Sequence, residues 1–267
     1  MLERVACLLD VFIAHRPLTL TEISRRSNLP RSSAHRILQG LVQLGWIERH
    51  GSRYVLGMRM FEIGNTVRQR RVPQAALPVM TSVHRRTGLT AHLSIMSGAE
   101  ILHVERVGLW PAVRDPWNVG SRQPLEHSAA GRVLLASLPE TQWPRLTFDS
   151  TSTIYGIQTR AQLDREIARV HHRGRVAVDA QGCEIGVTVV AAPIDIAEQP
   201  SRFALSLCGP TASLPVDTTV SLVRVASIEI QHAAVGLHAG RQHRTRATEL
   251  AAASEAVGRL LAQRSRR

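Results

Sequence analysis

Between Thr19 and Gly45 the chain has few ways to fold. Thr19 is followed three residues later by Glu22, a capping-box pair that starts a short helix from Leu20 to about Ser27. Asn28-Leu29-Pro30 then reads as a tight turn, with proline suited to the first position of the next helix. In that helix Ala34, Ile37, Leu38, Leu41 and Leu44 recur at spacings of three and four, so one stripe is built for burial. Gly45 ends it. An earlier helix carries Leu2, Val5, Ala6, Leu9, Phe12 and Ile13 at helical spacing, broken by His15-Arg16-Pro17-Leu18. Downstream, Trp46 to Arg49 and Arg53 to Leu56 flank His50-Gly51-Ser52, two short strands around a glycine turn. The order helix, turn, helix, hairpin predicts a winged helix-turn-helix over residues 1–57.

A helix that reads DNA needs an inner face packed on a core and an outer face free for a groove. The third helix meets both conditions. Its outward residues are Arg31, Ser32, Ser33, His35, Arg36 and Gln39; all can donate hydrogen bonds and none is acidic. Any one of them alone reads equally well as a solvated surface residue, and the acid-free run of six carries the inference. Thr21 on the second helix joins the candidate DNA contacts. Arg49 and Arg53 straddle the hairpin tip, where a wing meets phosphate or minor groove.

The charge distribution agrees. Residues 1–75 hold 12 Arg and 5 acids, a net +7; residues 76–237 hold 14 of each; residues 238–267 hold 7 Arg and 2 acids, a net +5. A basic segment at each end of a neutral middle attracts phosphate more pointedly than a uniform bias would.

A helix with Met58, Phe61, Ile63 and Val67 near one side leads out of the first domain and ends at Arg68-Gln69-Arg70-Arg71 before Pro73, a linker over residues 58–73. Residues 74–237 alternate irregularly between strands and helices. The expected helices are Leu77 to Arg86, Ser128 to Leu138, Arg160 to Arg173 and Pro215 to Leu237. The expected strands are Leu89 to Met96, Glu100 to Val107, Arg175 to Asp179, Gly186 to Pro193 and Arg202 to Gly209. Several are hairpin-like, which predicts an α+β fold with a mainly antiparallel sheet. Residues 238–267 form a basic tail, either a helix over Thr248 to Gln263 or a solvated end.

No stretch approaches the roughly 20 apolar residues of a membrane span, and the start lacks a secretory pattern, so a cytoplasmic protein is expected. Cys7, Cys183 and Cys208 are odd in number and far apart, without a CxxC pair; they read as small buried residues, with no disulfide, metal site or other cofactor expected.

Three stretches of the first domain resemble the DNA-binding domain of the IclR family of transcription regulators. They are Leu18-Thr19-Leu20-Thr21-Glu22-Ile23-Ser24-Arg25-Arg26, Leu29-Pro30-Arg31-Ser32-Ser33-Ala34-His35-Arg36-Ile37-Leu38 and Leu41-Val42-Gln43-Leu44-Gly45-Trp46-Ile47. Further on, Gly120 to Ala136 is similar to the start of the family's effector-pocket helix, and Gly186 to Pro193 and Ala204 to Pro210 match its two late strands. The likeness covers residues 2–237. It implies a GAF-like effector domain, a homodimer or homotetramer, and no catalysis. Carried over position by position, it also implies an effector site. The site would be made of Ala129 and Ala130 at a helix start, Asp179, Val189, Ser206 and Cys208 on the late strands, and a wall from Val113 to Trp117.

A helix N-terminus with Ala-Ala-Gly lets a carboxylate approach the backbone, and strand alternation puts Ser206 and Cys208 on one face. The sequence departs from the family at Val189, where Cys is common, at Cys208, where Ser is common, and at Gln181-Gly182, where acids are usual. The pocket is therefore less polar than its relatives', which favours a larger organic acid, aromatic ones included, over a tiny polar one such as glyoxylate. Trp117 is placed either to stack on such a ring or simply to pack.

An enzyme is the rival from another class. Ser128 lies in no GxSxG elbow, and adjacent His171 and His172 point in different directions on a helix, a poor metal pair. A nonspecific nucleoid binder needs the basic ends but not the neutral middle. The expectation is a regulator controlled by a small carboxylate effector, bound as a dimer to a near-palindromic operator because paired recognition helices must lie a helical turn apart. Repressor and activator stay open.

Overall fold

The structure, a computed structural model, describes residues 1–14, 16–68, 71–108, 117–148, 153–196 and 199–236. The chain divides into two compact units, residues 1–70 and 71–267.

The first unit is built on α1 (Leu2–Asp10), α2 (Leu20–Ser27) and α3 (Arg31–Gln43), followed by β2 (Ile47–His50), β3 (Arg53–Leu56) and α4 (Met58–Arg68). A two-residue strand, β1 (Leu18–Thr19), adds to the hairpin as a third antiparallel member in the order β1-β3-β2. Such a strand is too short for periodicity to reveal.

The capping box forms as written in the sequence. The Glu22 carboxylate accepts from Thr19 N at 2.8 Å and from its hydroxyl at 3.0 Å, and Glu22 N donates back to Thr19 Oγ1. These bonds, with the Arg16 and Arg53 charges, hold the Glu22 carboxyl below its usual pKa. That contribution is present above the unfolded carboxylate range and fades as pH falls through the lowered value. Thr19→Ala removes the cap and is expected to cost about 0.5–2 kcal/mol, read as a lower denaturant midpoint for the first unit.

Asn28 closes α2 in the left-handed region at φ 53°, where asparagine is tolerated, and this sets the turn into α3. Leu8, Phe12, Leu18, Ile23, Ala34, Leu38, Leu41, Ile47 and Tyr54 fill the core. Gly57 follows the hairpin because a Cβ there would strike the Gly45 carbonyl.

Four expectations for this unit change. α1 stops at Asp10 and a 3-10 turn (Val11–Ala14) follows; the buried edge of the two is Leu8 and Phe12, while Leu2 and Ile13 are 84% and 58% exposed and Ala6 is exposed too. The core meets α1 on its flank, so the stripe read from spacing is only half covered. Leu44, expected inside, is 64% exposed, since α3 ends one residue earlier, and Ile37 is only half-buried. Cys7 is exposed, about 100° around α1 from Leu8. Pro73 does not end a linker helix: α5 (Arg71–Thr87) has already begun, with Pro73 in its first turn, where the missing N–H has no helical partner to lose.

The second unit is a six-stranded antiparallel sheet in the order β6-β5-β4-β9-β8-β7. Its strands are β4 (Thr90–Ser97), β5 (Glu100–Val107), β6 (Arg122–Pro124), β7 (Ala177–Ala180), β8 (Val187–Ile196) and β9 (Gln199–Pro210). One face carries α5 and α8 (residues 216–236), with Val79, Met80, Val223 and Ile230 on Leu93, Val190, Leu205 and Leu207. The other carries α6 (Ala129–Leu135) and α7 (Arg160–His172), with Leu134, Leu163 and Val170 against Ala177, Ala191 and Ala204. Covered on both sides, β9 is buried from Ala204 through Gly209, which explains its apolar run. Gly131 lets α6 sit directly on Leu125, whose backbone a Cβ would overlap.

Candidate DNA-reading surface and effector cavity

On α3, Arg31, Ser32, Arg36 and Gln39 are exposed, and Ser33 and His35 are half-buried. The acid-free face is therefore open, standing on Ala34, Leu38 and Leu41. Its flank toward α1 is less plain than the spacing implied. Ser33 and Arg36 line a groove of ≈ 810 Å³ whose floor is Val5, Ile37, Leu41 and Leu44. Thr21 is exposed on the first turn of α2. At the wing, Arg49 donates to the Gly51 carbonyl at 2.8 Å and lies 5.8 Å from the Tyr54 ring, and Arg53 donates to the Pro17 carbonyl at 3.0 Å. Both stay solvent-exposed, but each already braces the hairpin.

In the second unit, β4, β8 and β9 turn alternate residues toward α6. The register sets His92 opposite Ser206 and Val189 opposite Cys208, so the four share that face. Together with Trp117, Ala129 and Ala130 they enclose a cavity of ≈ 20 Å³, room for about one water. Six of the eight sequence-derived effector residues thus come together: Trp117, Ala129, Ala130, Val189, Ser206 and Cys208. Val113 lies outside the described residues.

Asp179 is placed differently. Its Oδ1 pairs with Arg132 Nη2 at 2.9 Å and its Oδ2 accepts from Cys183 N at 2.9 Å. Both side chains are almost wholly buried, so the carboxylate is spent on α6 and its own turn rather than on the cavity. The helix start offers less than expected too: α6 is seven residues long, and Ser128 Oγ already accepts from Gly131 N at 2.9 Å.

Sequence reasoning missed His92 and His103. A bulge skips Val104, so Ser94 pairs with His103 while His92 pairs with Arg106. The bulge brings both imidazoles to one face, their centroids 5.2 Å apart. The available signal was His92-Leu93-Ser94 alternating inside a buried strand; the bulge itself leaves none. Burial pushes His92 down to about 3 and His103 to about 4, and raises the Cys208 thiol to about 12. All three are uncharged near neutrality. Trp117 meets His92 edge-on, 6.2 Å between centroids, and is held among Cys183, Val187 and Cys208. Its ring is therefore already packed. Among the described residues no cluster of His, Cys, Asp and Glu is arranged to hold a metal, and no helix is long and apolar enough to cross a membrane.

Comparison with known proteins follows the same division of the chain. The family model described as IclR helix-turn-helix domain matches residues 1–51, and the one described as bacterial transcriptional regulator IclR C-terminal matches residues 64–231. The Escherichia coli HTH-type transcriptional regulator XynR is 32% identical over 212 residues, 77% of this chain and 84% of its own. An IclR homolog of Microbacterium hydrocarbonoxydans, solved with 4-hydroxybenzoate, superposes with TM-score 0.75 at 28% identity, over 88% of this chain and 99% of that one. The Thermotoga maritima IclR structure, 23% identical with TM-score 0.69 over 86% and 96% of the two chains, shares the fold.

Proposed function

The chain belongs to the IclR family of transcription regulators, and from that premise we propose that α3 reads an operator sequence while the cavity beside α6 binds a small aromatic acid that controls the reading. The carrying observation is the open, acid-free face of α3 on an aliphatic base. Uncovered apolar side chains on α1, the turn after it and α4 — Leu2, Ile13, Met58 and Phe61 — support pairing of two DNA-binding units on a near-palindromic site. Pairing of effector units into a tetramer would add a second contact.

For the effector, an aromatic acid is favoured by the apolar wall of Val189, Ile101, Ala129 and Ala130 and by the 4-hydroxybenzoate held by the Microbacterium homolog, although the cavity, with room for about one water, must widen to admit a ring. The acid group would lie toward Arg106, which stands opposite His92 on β5. The ligand is bound and released unchanged, and it regulates only by favouring one arrangement of the DNA-binding units over another. Met58–Arg68, the last helix before the effector unit, is the segment through which that preference would act.

Selection of bound duplexes from a random pool by the full chain tests the first half. A near-palindromic consensus is expected, and binding without sequence preference, whatever the salt, would overturn it. Arg36→Ala is expected to weaken binding to that consensus by about 1–3 kcal/mol and to relax preference at one base position per half-site. Equal affinity and preference would remove Arg36 from the reading face.

A further inference from the structure

A file of polar side chains lies along one wall of the cavity, and most of it is self-contained. His103 Nδ1 meets Ser94 Oγ at 2.9 Å and its Nε2 meets Gln123 Oε1 at 3.4 Å. The glutamine oxygen can only accept, so Nε2 carries the proton and Nδ1 accepts from the serine hydroxyl. His92 is different. Among the described residues its Nδ1 meets the Cys208 thiol at 3.9 Å and its Nε2 has no partner at hydrogen-bonding geometry, although the side chain is 3% exposed. The Trp117 backbone also acts on the ring, raising its pKa by less than burial lowers it. A buried nitrogen without a partner is unfavourable, and this one lies in the wall of a cavity. Among the described residues that line the cavity there is no Arg, Asp or Glu.

On the assignment of this cavity as the effector site, we propose that His92 determines specificity: its Nε2 hydrogen-bonds an uncharged hydroxyl on the inner end of the ligand's ring. A hydroxyl both donates and accepts, so it satisfies whichever tautomer the Cys208 contact leaves. A methyl in its place leaves the nitrogen orphaned. A carboxylate there can only accept, and among the described lining residues it meets no cation. The ring itself lies against Ile101, Val189 and the two alanines, and the ligand's acid group stays at the outer end, near Arg106. The Arg106 charge already acts on both His92 and Cys208.

Calorimetry on the full chain with 4-hydroxybenzoate, 4-methylbenzoate and terephthalate tests this. The hydroxyl compound is expected to bind about 10-fold or more tighter than either of the others. In His92→Phe that preference over the methyl compound is expected to vanish, and in His92→Gln to return in part. A spectrum of the ¹⁵N-histidine-labelled wild-type chain needs no folded variant: the His92 Nε2 resonance should move with 4-hydroxybenzoate and stay with 4-methylbenzoate. Equal binding of all three with an unmoved His92 resonance overturns the hydroxyl proposal. The cavity assignment then still stands if Ala130→Trp abolishes binding. Binding that survives Ala130→Trp, or no binding of any probe to the wild-type chain, overturns the cavity assignment and this proposal together.

Discussion

Asp179→Ala is expected to destabilise the effector unit by about 3–5 kcal/mol, the cost of leaving one member of a buried ion pair alone. Arg132 and Asp179 meet at 2.9 Å with side-chain exposures of only 3% and 6%. The guanidinium has few other outlets among the described residues: Nη2 also reaches the Val178 carbonyl at 3.3 Å, and Nε has no partner there. Without the carboxylate, a cation stays under α6 and the Cys183 amide loses its acceptor. Asp179→Asn keeps that acceptor and should cost less. Asp179→Leu combined with Arg132→Met removes both charges and should recover most of the loss, because the pair's own net contribution is small beside its desolvation. Urea unfolding followed by tryptophan fluorescence measures all three. A loss below about 1 kcal/mol for Asp179→Ala would show that water reaches the arginine.

Ala130→Trp is expected to abolish the effector response and leave operator binding intact. Ala130 is 3% exposed in the wall of a cavity with room for about one water, so an indole there takes the ligand's place. Ligand affinity should fall roughly 100-fold or more, equivalent to about 2.7 kcal/mol. Overpacking itself costs about 1–3 kcal/mol, so Ala130→Leu provides a milder block whose melting temperature should stay closer to wild type. Gel shifts on the selected operator, with and without ligand, separate the two activities. A variant that still responds would put the effector elsewhere.

The proposed aromatic effector and the proposed reading of its hydroxyl by His92 come from different kinds of information. Val189, Ser206, Cys208 and the alanine pair could be placed from the sequence because the family resemblance and strand alternation located them. His92 and His103 could not. They reach one face only because Val104 bulges out of β5, and a bulge depends on how two strands pair rather than on either alone. Asp179 was assigned to the ligand for a related reason: nothing local shows that Arg132, 47 residues earlier, claims its carboxylate. On α1 the apolar spacing promised one buried stripe, and the core covered its Leu8 edge instead, leaving Leu2 and Ile13 for another surface.

The first unit was legible because its signals are local. A capping box, a turn at Asn28-Leu29-Pro30 and a three-four stripe each act within a few residues, and together they admit one arrangement. The sheet of the second unit was legible as a class from its strand alternation. Its order, the bulge and the buried Arg132–Asp179 contact were decided by packing between segments far apart in the chain. Those non-local contacts choose which polar groups are satisfied and which, like His92 Nε2, have no partner among the described residues.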